Sequence, residues 1–147
     1  MASVKGVNIT NIDATPVVNV DSENAGGKLR VFHDTYEAAS LASGSDITIA
    51  RIPVNATIHD VIVKADALGG SSTLKVGDSG DDDRYLAAVG TWNAAGQCQS
   101  MLAGSTAANT AVAGLGYRTT ASTDIVITTG GATISGTIYC WVYYTVE

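Results

Sequence analysis

The residues best equipped for chemistry lie between Gly77 and Arg84, where Asp78, Ser79, Asp81, Asp82 and Asp83 crowd a short glycine-containing stretch. Carboxylates this close could hold a hard cation such as Ca²⁺, which takes several carboxylate oxygens. Their order is not that of an EF-hand loop, which alternates its Asp ligands, carries a central Gly and ends on Glu. Crowded charges on a turn are more commonly solvated or paired, and Arg84 is at hand to pair with one of them. The expectation is a solvated turn with an Arg84 ion pair, with no metal and no cofactor.

Residues 77–81, GDSGD, resemble the GDSGG around the nucleophile of trypsin-like serine proteases. Asp81 breaks the match at its last position, and the serine of such an enzyme needs a histidine base and a buried aspartate. His33 and His59 are lone histidines on strand patterns, each expected to be a hydrogen-bonded strand residue. No phosphate-binding glycine loop precedes a helix, so nucleotide binding has no support. Cys98 and Cys140 allow one disulfide, although two buried thiols acting as small hydrophobes are the simpler expectation. No Cys/His spacing suggests zinc. The chain is not expected to be an enzyme.

A second constellation is aromatic. In 137–146, Ile138, Cys140, Val142, Tyr144 and Val146 alternate with Tyr139, Trp141 and Tyr143. Both faces of such a strand are apolar or aromatic, so it is central in a sandwich or covered by a neighbouring subunit. Tyr139, Trp141 and Tyr143 could form a carbohydrate platform, provided Trp92 and Trp141 stand exposed beside a groove. Core or subunit seam is the stronger reading, since mid-strand aromatics usually pack and aromatics are enriched at interfaces. Near the start, Val17, Val18 and Val20 follow Pro16, which marks an edge strand or extended arm. These valines join the three rings as candidate subunit or shell contacts.

The elements that must position these groups are strands. Alternation of period two marks 28–36, 46–52 (Ile47, Ile49 and Arg51 sharing a face), 57–66, 97–102, 117–120, 123–129 and 137–146. Within 57–66, Val61, Val63 and Ala65 share one face, and Ile58, Asp60, Ile62 and Lys64 the other. Residues 73–89 read as a hairpin closed by the acidic turn. Residues 37–44, rich in Ala and Ser, read as a connection, and 103–116 as a surface loop or irregular edge strand. About eight or nine short strands between turn signals predict an all-β, antiparallel, jelly-roll-like sandwich over 28–147, with 1–27 as an extended arm or edge segment. No helix longer than two turns is expected.

At 147 residues one domain with a real core is expected. Charged residues make up 15%, against roughly 25% in typical globular chains, a balance that suits proteins that assemble. The net charge is −6 and only eight scattered basic residues occur, so nucleic-acid binding is not expected. No apolar run reaches the ~18 residues of a membrane span and none at the start resembles a signal peptide. The expectation is a protein made in, and soluble in, a cytoplasm.

Several spaced segments, in order, resemble small tailed-bacteriophage virion proteins. They are 52–66, ending in TIHDVIVKAD, then Leu68–Gly69, Ser71–Thr73, Val76–Gly77–Asp78 and Asp83–Arg84–Tyr85–Leu86. Gly116–Tyr117 and the closing run from Gly136–Thr137–Ile138–Tyr139 to Val146–Glu147 complete the set. The resemblance covers roughly 46–147. It implies a capsid decoration, or cement, protein: a homotrimeric sandwich on the outside of the virion that bridges major capsid protein subunits. A neck, tail or fibre-associated protein, or a glycan-binding jelly roll, is the alternative. Cementing needs area rather than chemistry, which agrees with the low charge and the lack of a catalytic constellation.

Overall fold

The computed structural model describes residues 4–20, 22, 25–90, 92–103 and 112–147. Among the described residues, eight strands follow one short helix, α1 (Val7–Ile12): β1 (Arg30–Leu41), β2 (Asp46–Ile52), β3 (Ala56–Ala65), β4 (Thr73–Asp78), β5 (Asp81–Val89), β6 (Gln97–Ser100), β7 (Thr123–Gly130) and β8 (Ile134–Val146). They form two four-stranded antiparallel sheets, ordered β1-β8-β3-β6 and β2-β7-β4-β5. Every chain-adjacent pair except β4-β5 is split between the sheets. This double Greek-key order is that of an eight-stranded jelly roll, and it realises the expected all-β sandwich.

The core is the space between the sheets. β8 contributes Ile134, Ile138, Cys140 and Val142, and β3 contributes Ala56, Ile58, Val61, Val63 and Ala65. The facing sheet supplies Ile47, Ile49, Ala50 and Ile52 from β2, Leu74 and Val76 from β4, and Ile125 and Ile127 from β7. Aliphatic and β-branched side chains suit a pleated, half-buried surface. Phe32 and Tyr36 of β1 pack against this cluster from the edge.

Three departures from simple alternation have one cause, an extra residue inserted into a ladder. In β2, Thr48 pairs with Val126 and Ala50 with Ile125, leaving Ile49 as the surplus residue. Ile49 and Ala50 therefore both point inward. Arg51, expected beside Ile47 and Ile49, turns outward and chelates Asp124 through Nε (2.6 Å) and Nη2 (2.9 Å). In β3 the surplus residue is His59, between Ile58↔Tyr144 and Asp60↔Tyr143. It moves Ile58 from the expected outer face into the core, where it is fully buried. In β1 the register slips between Ala38 and Leu41, at Ser40 with φ +53°. The strand continues across this slip, so much of the stretch read as a connection is sheet.

The expected strand at 117–120 is instead a single bridge, Thr57↔Arg118. Its neighbour Thr119 is buried and staples the β2–β3 turn. The Ala56 N–H donates to Thr119 Oγ1 (2.9 Å), and that hydroxyl donates to the Pro53 carbonyl (2.7 Å). Of the stretch read as 103–116, residues 104–111 lie outside the described residues, as do 1–3, 21, 23 and 24 of the amino-terminal segment.

Ile138→Ala is expected to cost about 2–5 kcal/mol through lost burial and a residual cavity. Ile9→Ala, on the exposed helix α1, should stay within about 0.5 kcal/mol. Urea titrations of both variants against the parent check this ordering.

Candidate functional site: a buried carboxylate lock and an exposed aromatic face

The crowded acidic stretch divides into one buried carboxylate and three exposed or half-exposed ones. The Asp78 side chain is 3% exposed and sits at the end of β4. Its Oδ1 accepts the backbone N–H groups of Gly80 (2.9 Å) and Asp81 (3.2 Å), the self-bonding of an Asx turn. Its Oδ2 accepts Arg84 Nε (2.8 Å) and the Tyr85 hydroxyl (2.8 Å). The Arg84 guanidinium in turn lies 4.1 Å from the centre of the Tyr117 ring, a cation–π contact. Tyr85 meets Tyr117 edge to face at 6.4 Å.

The local backbone is built for this convergence. Between Val76↔Leu86 and Asp78↔Asp81, β5 carries surplus residues that swing Arg84 and Tyr85 toward Asp78. The fold-back lies so close over Gly77 that a Cβ there would meet the Asp81 carbonyl oxygen at 2.2 Å. Glycine is required at Gly77 for close approach. Burial pushes the Asp78 carboxyl up, but hydrogen bonds from Tyr85, Arg84 and Gly80 and the Arg84 charge outweigh it. The carboxyl therefore lies below the usual carboxylate range. Burial, and then the hydrogen bond to the Asp78 carboxylate, hold the Tyr85 phenol far above its ordinary value, so it serves as a donor.

Asp81, Asp82 and Asp83 remain at the surface with oxygens within 4.8 Å of one another, and Lys75 pairs with Asp82. Asp78 is withdrawn from that set, because both its oxygens are occupied by donors of the chain itself. The paired-turn expectation is met with Asp78 as the partner of Arg84.

Ser79 borders a groove of about 720 Å³ on the outer face of the second sheet, lined among others by Thr48, Val126, Thr128 and Asp124. Both histidines belong to the first sheet. His33 Nδ1 lies 2.9 Å from the Cys140 carbonyl oxygen, and His59 Nε2 2.9 Å from Thr145 Oγ1. Ser79 therefore has neither the base nor the orienting aspartate of a serine hydrolase, since Asp78 is bound to Arg84 and Tyr85.

The aromatic constellation lies on the outer face of the first sheet. Tyr139, Trp141 and Tyr143 are half-buried and point away from the core, which removes the core reading. The β1-β8 register sets Val31 opposite Tyr143 and His33 opposite Trp141. On the other side of β8, β3 sets Ile62 beside Trp141 and Lys64 beside Tyr139. His33 stacks on the Trp141 indole with centroids 4.5 Å apart and planes 7° apart, and Tyr139 stacks on the same indole at 6.3 Å. The sequence pattern located the three rings. The roles of His33, Val31 and Ile62 depend on which strands flank β8, which no local pattern reveals.

Trp92, the other ring a sugar platform would need, is 1% exposed. Its indole N–H finds no acceptor among the described residues. The 720 Å³ groove is on the opposite sheet from Trp141. Trp92 is thus buried, and Trp141 does not line that groove.

The cysteines are both free. Cys140 faces the core, where burial pushes its thiol up to about 12. Cys98, expected to be buried, is exposed on β6 opposite Lys64, on the outer face. The two thiols therefore lie on opposite sides of one sheet.

Val17 and Val18 are 63% and 50% exposed, and Val20 is half-buried. The hydrogen bonds described for residues 4–20 close within the segment, including Val18 N–H to the Asn11 carbonyl (3.0 Å) and Lys5 Nζ to Asp13 Oδ2 (2.6 Å). No described helix is long and apolar enough to cross a membrane.

The geometry defines an eight-stranded jelly roll with an internal ionic lock and an apolar outer face. The same fold occurs in chains of three solved phage capsids. One, from the capsid asymmetric unit of cyanophage Pam1, superimposes with a TM-score of 0.65 at 20% identity, over 88% of this chain and 93% of that one. One from the acid-stable capsid of Helicobacter pylori bacteriophage KHP30 gives 0.57 at 10% identity, over 80% and 87%. One from the capsid of Ralstonia phage GP4 gives 0.57 at 20% identity, over 82% and 84%. No family model matches the chain, and no curated protein matches it.

Asp78→Ala strands the Arg84 charge in a mostly buried position and should cost about 3–5 kcal/mol. Because the folded carboxyl titrates below its unfolded value of about 3.9, its contribution is complete above that pH. It is lost as the pH falls through the folded value. The stability gap between parent and variant, followed by denaturant titration from pH 7 to pH 2, should narrow only at the acid end. Gly77→Ala should cost at least about 1–3 kcal/mol by overpacking, read from the same titration at pH 7.

Proposed function

We propose that this protein is a bacteriophage head decoration, or cement, protein that binds the outside of the capsid and stabilises contacts between major capsid protein subunits. The observation that carries the reading is surface left without a partner in a single copy. An aromatic and aliphatic face lies on the outside of the β1-β8-β3-β6 sheet, and Val4, Val7, Ile9, Ile12, Val17 and Val18 of the amino-terminal segment are each exposed. Isolated exposed apolar residues are ordinary, but contiguous ones mark interaction surfaces. The likeness of the fold to chains of three phage capsids supports a virion structural role and a location on the virion.

The mechanism is area multiplied by symmetry. A homotrimer presents each weak contact three times, and engaging the first raises the effective concentration for the others. The ionic lock at Asp78 keeps the hairpin in one shape, so that little conformational freedom is lost on docking. The net charge of −6 favours neither nucleic acid nor self-precipitation. In this reading residues 28–147 are the sandwich domain, and 1–27 an arm that meets a subunit or the shell. The protein performs no turnover.

The test is to add purified protein to heads assembled without it. Binding at saturable stoichiometry, with a rise in the temperature or denaturant concentration at which the heads disrupt, is the expected result. Heads that neither bind the protein nor gain stability would refute the proposal. Microscopy that finds the protein on the neck or tail would replace it with another virion role.

A further inference from the structure

We propose that the free edge of β1 pairs with the same edge of a second copy, antiparallel and centred on Phe32, so that two β1-β8-β3-β6 sheets join across a two-fold axis. The contact is additional to those of the trimer in the reading above and does not depend on it.

The ladder shows which backbone groups stand free. In an antiparallel strand each residue turns its N–H and its C=O to the same side, and successive residues alternate. The Val61 and Ala65 carbonyls accept the N–H groups of Met101 and Gly96, on the β6 side of β3. Ile62 and Lys64 therefore turn toward β8, where Trp141 and Tyr139 stand opposite. Cys140 and Val142 then turn the other way, toward Asp34 and Phe32 of β1. What remains for the outer edge of β1 is the backbone of Val31, His33, Thr35 and Glu37. Thr35 agrees, since its N–H donates to the Asp34 carboxylate (2.8 Å) rather than to β8. Among the described residues, no other strand or loop bonds to this edge at Val31, His33 or Glu37.

A row of free N–H and C=O groups is a template for another extended strand. The other three edges are poorer templates. β6 has only four residues, and the ladders of β2 and β5 are broken, at Ile49 and between Leu86 and Asp81. β1 runs in unbroken register from Arg30 to Ala38.

Charge selects a second β1 as the incoming strand. Arg30 and Asp34 lie on one row of the strand with Phe32 between them, and both are exposed. Arg30 has no ion pair among the described residues, and the Asp34 carboxylate accepts only the Thr35 N–H. An antiparallel pairing about Phe32 sets Arg30 of each copy opposite Asp34 of the other. Opposite charges directly across a ladder stabilise it, and like charges oppose it. Centring on Asp34 would set that carboxylate against itself. Centring on His33 would face Arg30 with Tyr36 and Asp34 with Phe32. Centring on Val31 would keep only Arg30, Val31 and Phe32 of each strand in the ladder. About Phe32, Val31 of each copy exchanges backbone hydrogen bonds with His33 of the other. Leu29 and Val31, 55% and 51% exposed, then gain Thr35 and His33 as neighbours. Between the sheets at this flank is a hollow of about 180 Å³, lined by Phe32, Ile49 and Ala50 among others. The Phe32 ring of the second copy lies over its mouth.

Charge exchange is the decisive test, because Arg30 and Asp34 stand at the surface and their replacement spares the core. Arg30→Asp leaves acid opposite acid, and Asp34→Arg leaves base opposite base. Sedimentation of the full chain should show copies pairing in the parent, and each variant alone at least about tenfold weaker. Mixed together, the two variants should pair with each other about as well as the parent does with itself. Single cysteines fix the register. The exposed thiol is first removed by Cys98→Ser. In that background Phe32→Cys meets its own copy at the two-fold and should cross-link on mild oxidation. His33→Cys and Asp34→Cys sit beyond disulfide reach of their own copies, and should cross-link at least about tenfold less.

A parent that never pairs, charge variants that pair like the parent, or a mixture that stays apart would overturn the proposal. So would cross-linking strongest at His33→Cys or Asp34→Cys, since that centres the contact elsewhere. Head binding separates this contact from the decoration role. Paired copies that ignore heads keep the contact and remove the role, and copies that bind heads without pairing do the reverse.

Discussion

The arrangement rests on the central place of β8, hydrogen-bonded along one edge to β1 and along the other to β3. A strand paired on both edges has no backbone donors left to offer, so its influence passes through its two rows of side chains. One row, with Ile138, Cys140 and Val142, closes the core against β2, β4 and β7. The other row, Tyr139, Trp141 and Tyr143, is thereby committed to the outside, because side chains alternate strictly along an unbulged strand. The exposed aromatic face is thus the necessary reverse of a well-filled core.

Most of the strand order in sequence was legible, since period-two alternation and Gly or Pro punctuation are local signals. The hairpin at 73–89, the strand at 46–52 and the closing strand all stand where those signals put them. Facing was less legible. Ile58 and Arg51 each look outward or inward by simple counting, and each is reversed by a surplus residue, His59 or Ile49. A bulge costs little and leaves no compositional mark, so only the pairing partner reveals it. The same limit applies to 37–41, where Ala and Ser suggested a connection but the ladder with β8 carries the strand through.

The acidic stretch shows the two kinds of information side by side. Its turn chemistry and the availability of Arg84 were readable from residue types. That Asp78, and not one of its neighbours, would be the buried partner was not, because the choice depends on the β5 fold-back over Gly77. Tyr117 joins the lock from a distant loop, through contact with both Arg84 and Tyr85. The short matches Gly77–Asp78, Asp83–Arg84–Tyr85 and Gly116–Tyr117, which are among the segments that resemble small virion proteins, supply every side chain of this one network. A motif scattered in sequence is therefore a single mechanical part, and its recurrence would report a shared way of fastening a hairpin rather than a shared ligand.

The surplus residues in β2 and β3 also bear on how such a chain can change over generations. Removing Ile49 would regularise the ladder and leave the orientations beyond it unchanged, with Ala50 and Ile52 still facing the core and Arg51 still facing Asp124, at the cost of the buried Ile49 side chain. Loss of His59 would likewise keep Ile58 and Val61 inside and Asp60 outside. A one-codon deletion elsewhere in either strand would instead exchange the two faces of everything beyond it. Codon losses within the strands of related chains should accordingly collect at these two positions, each of which looks, by its own ladder, like an irregularity.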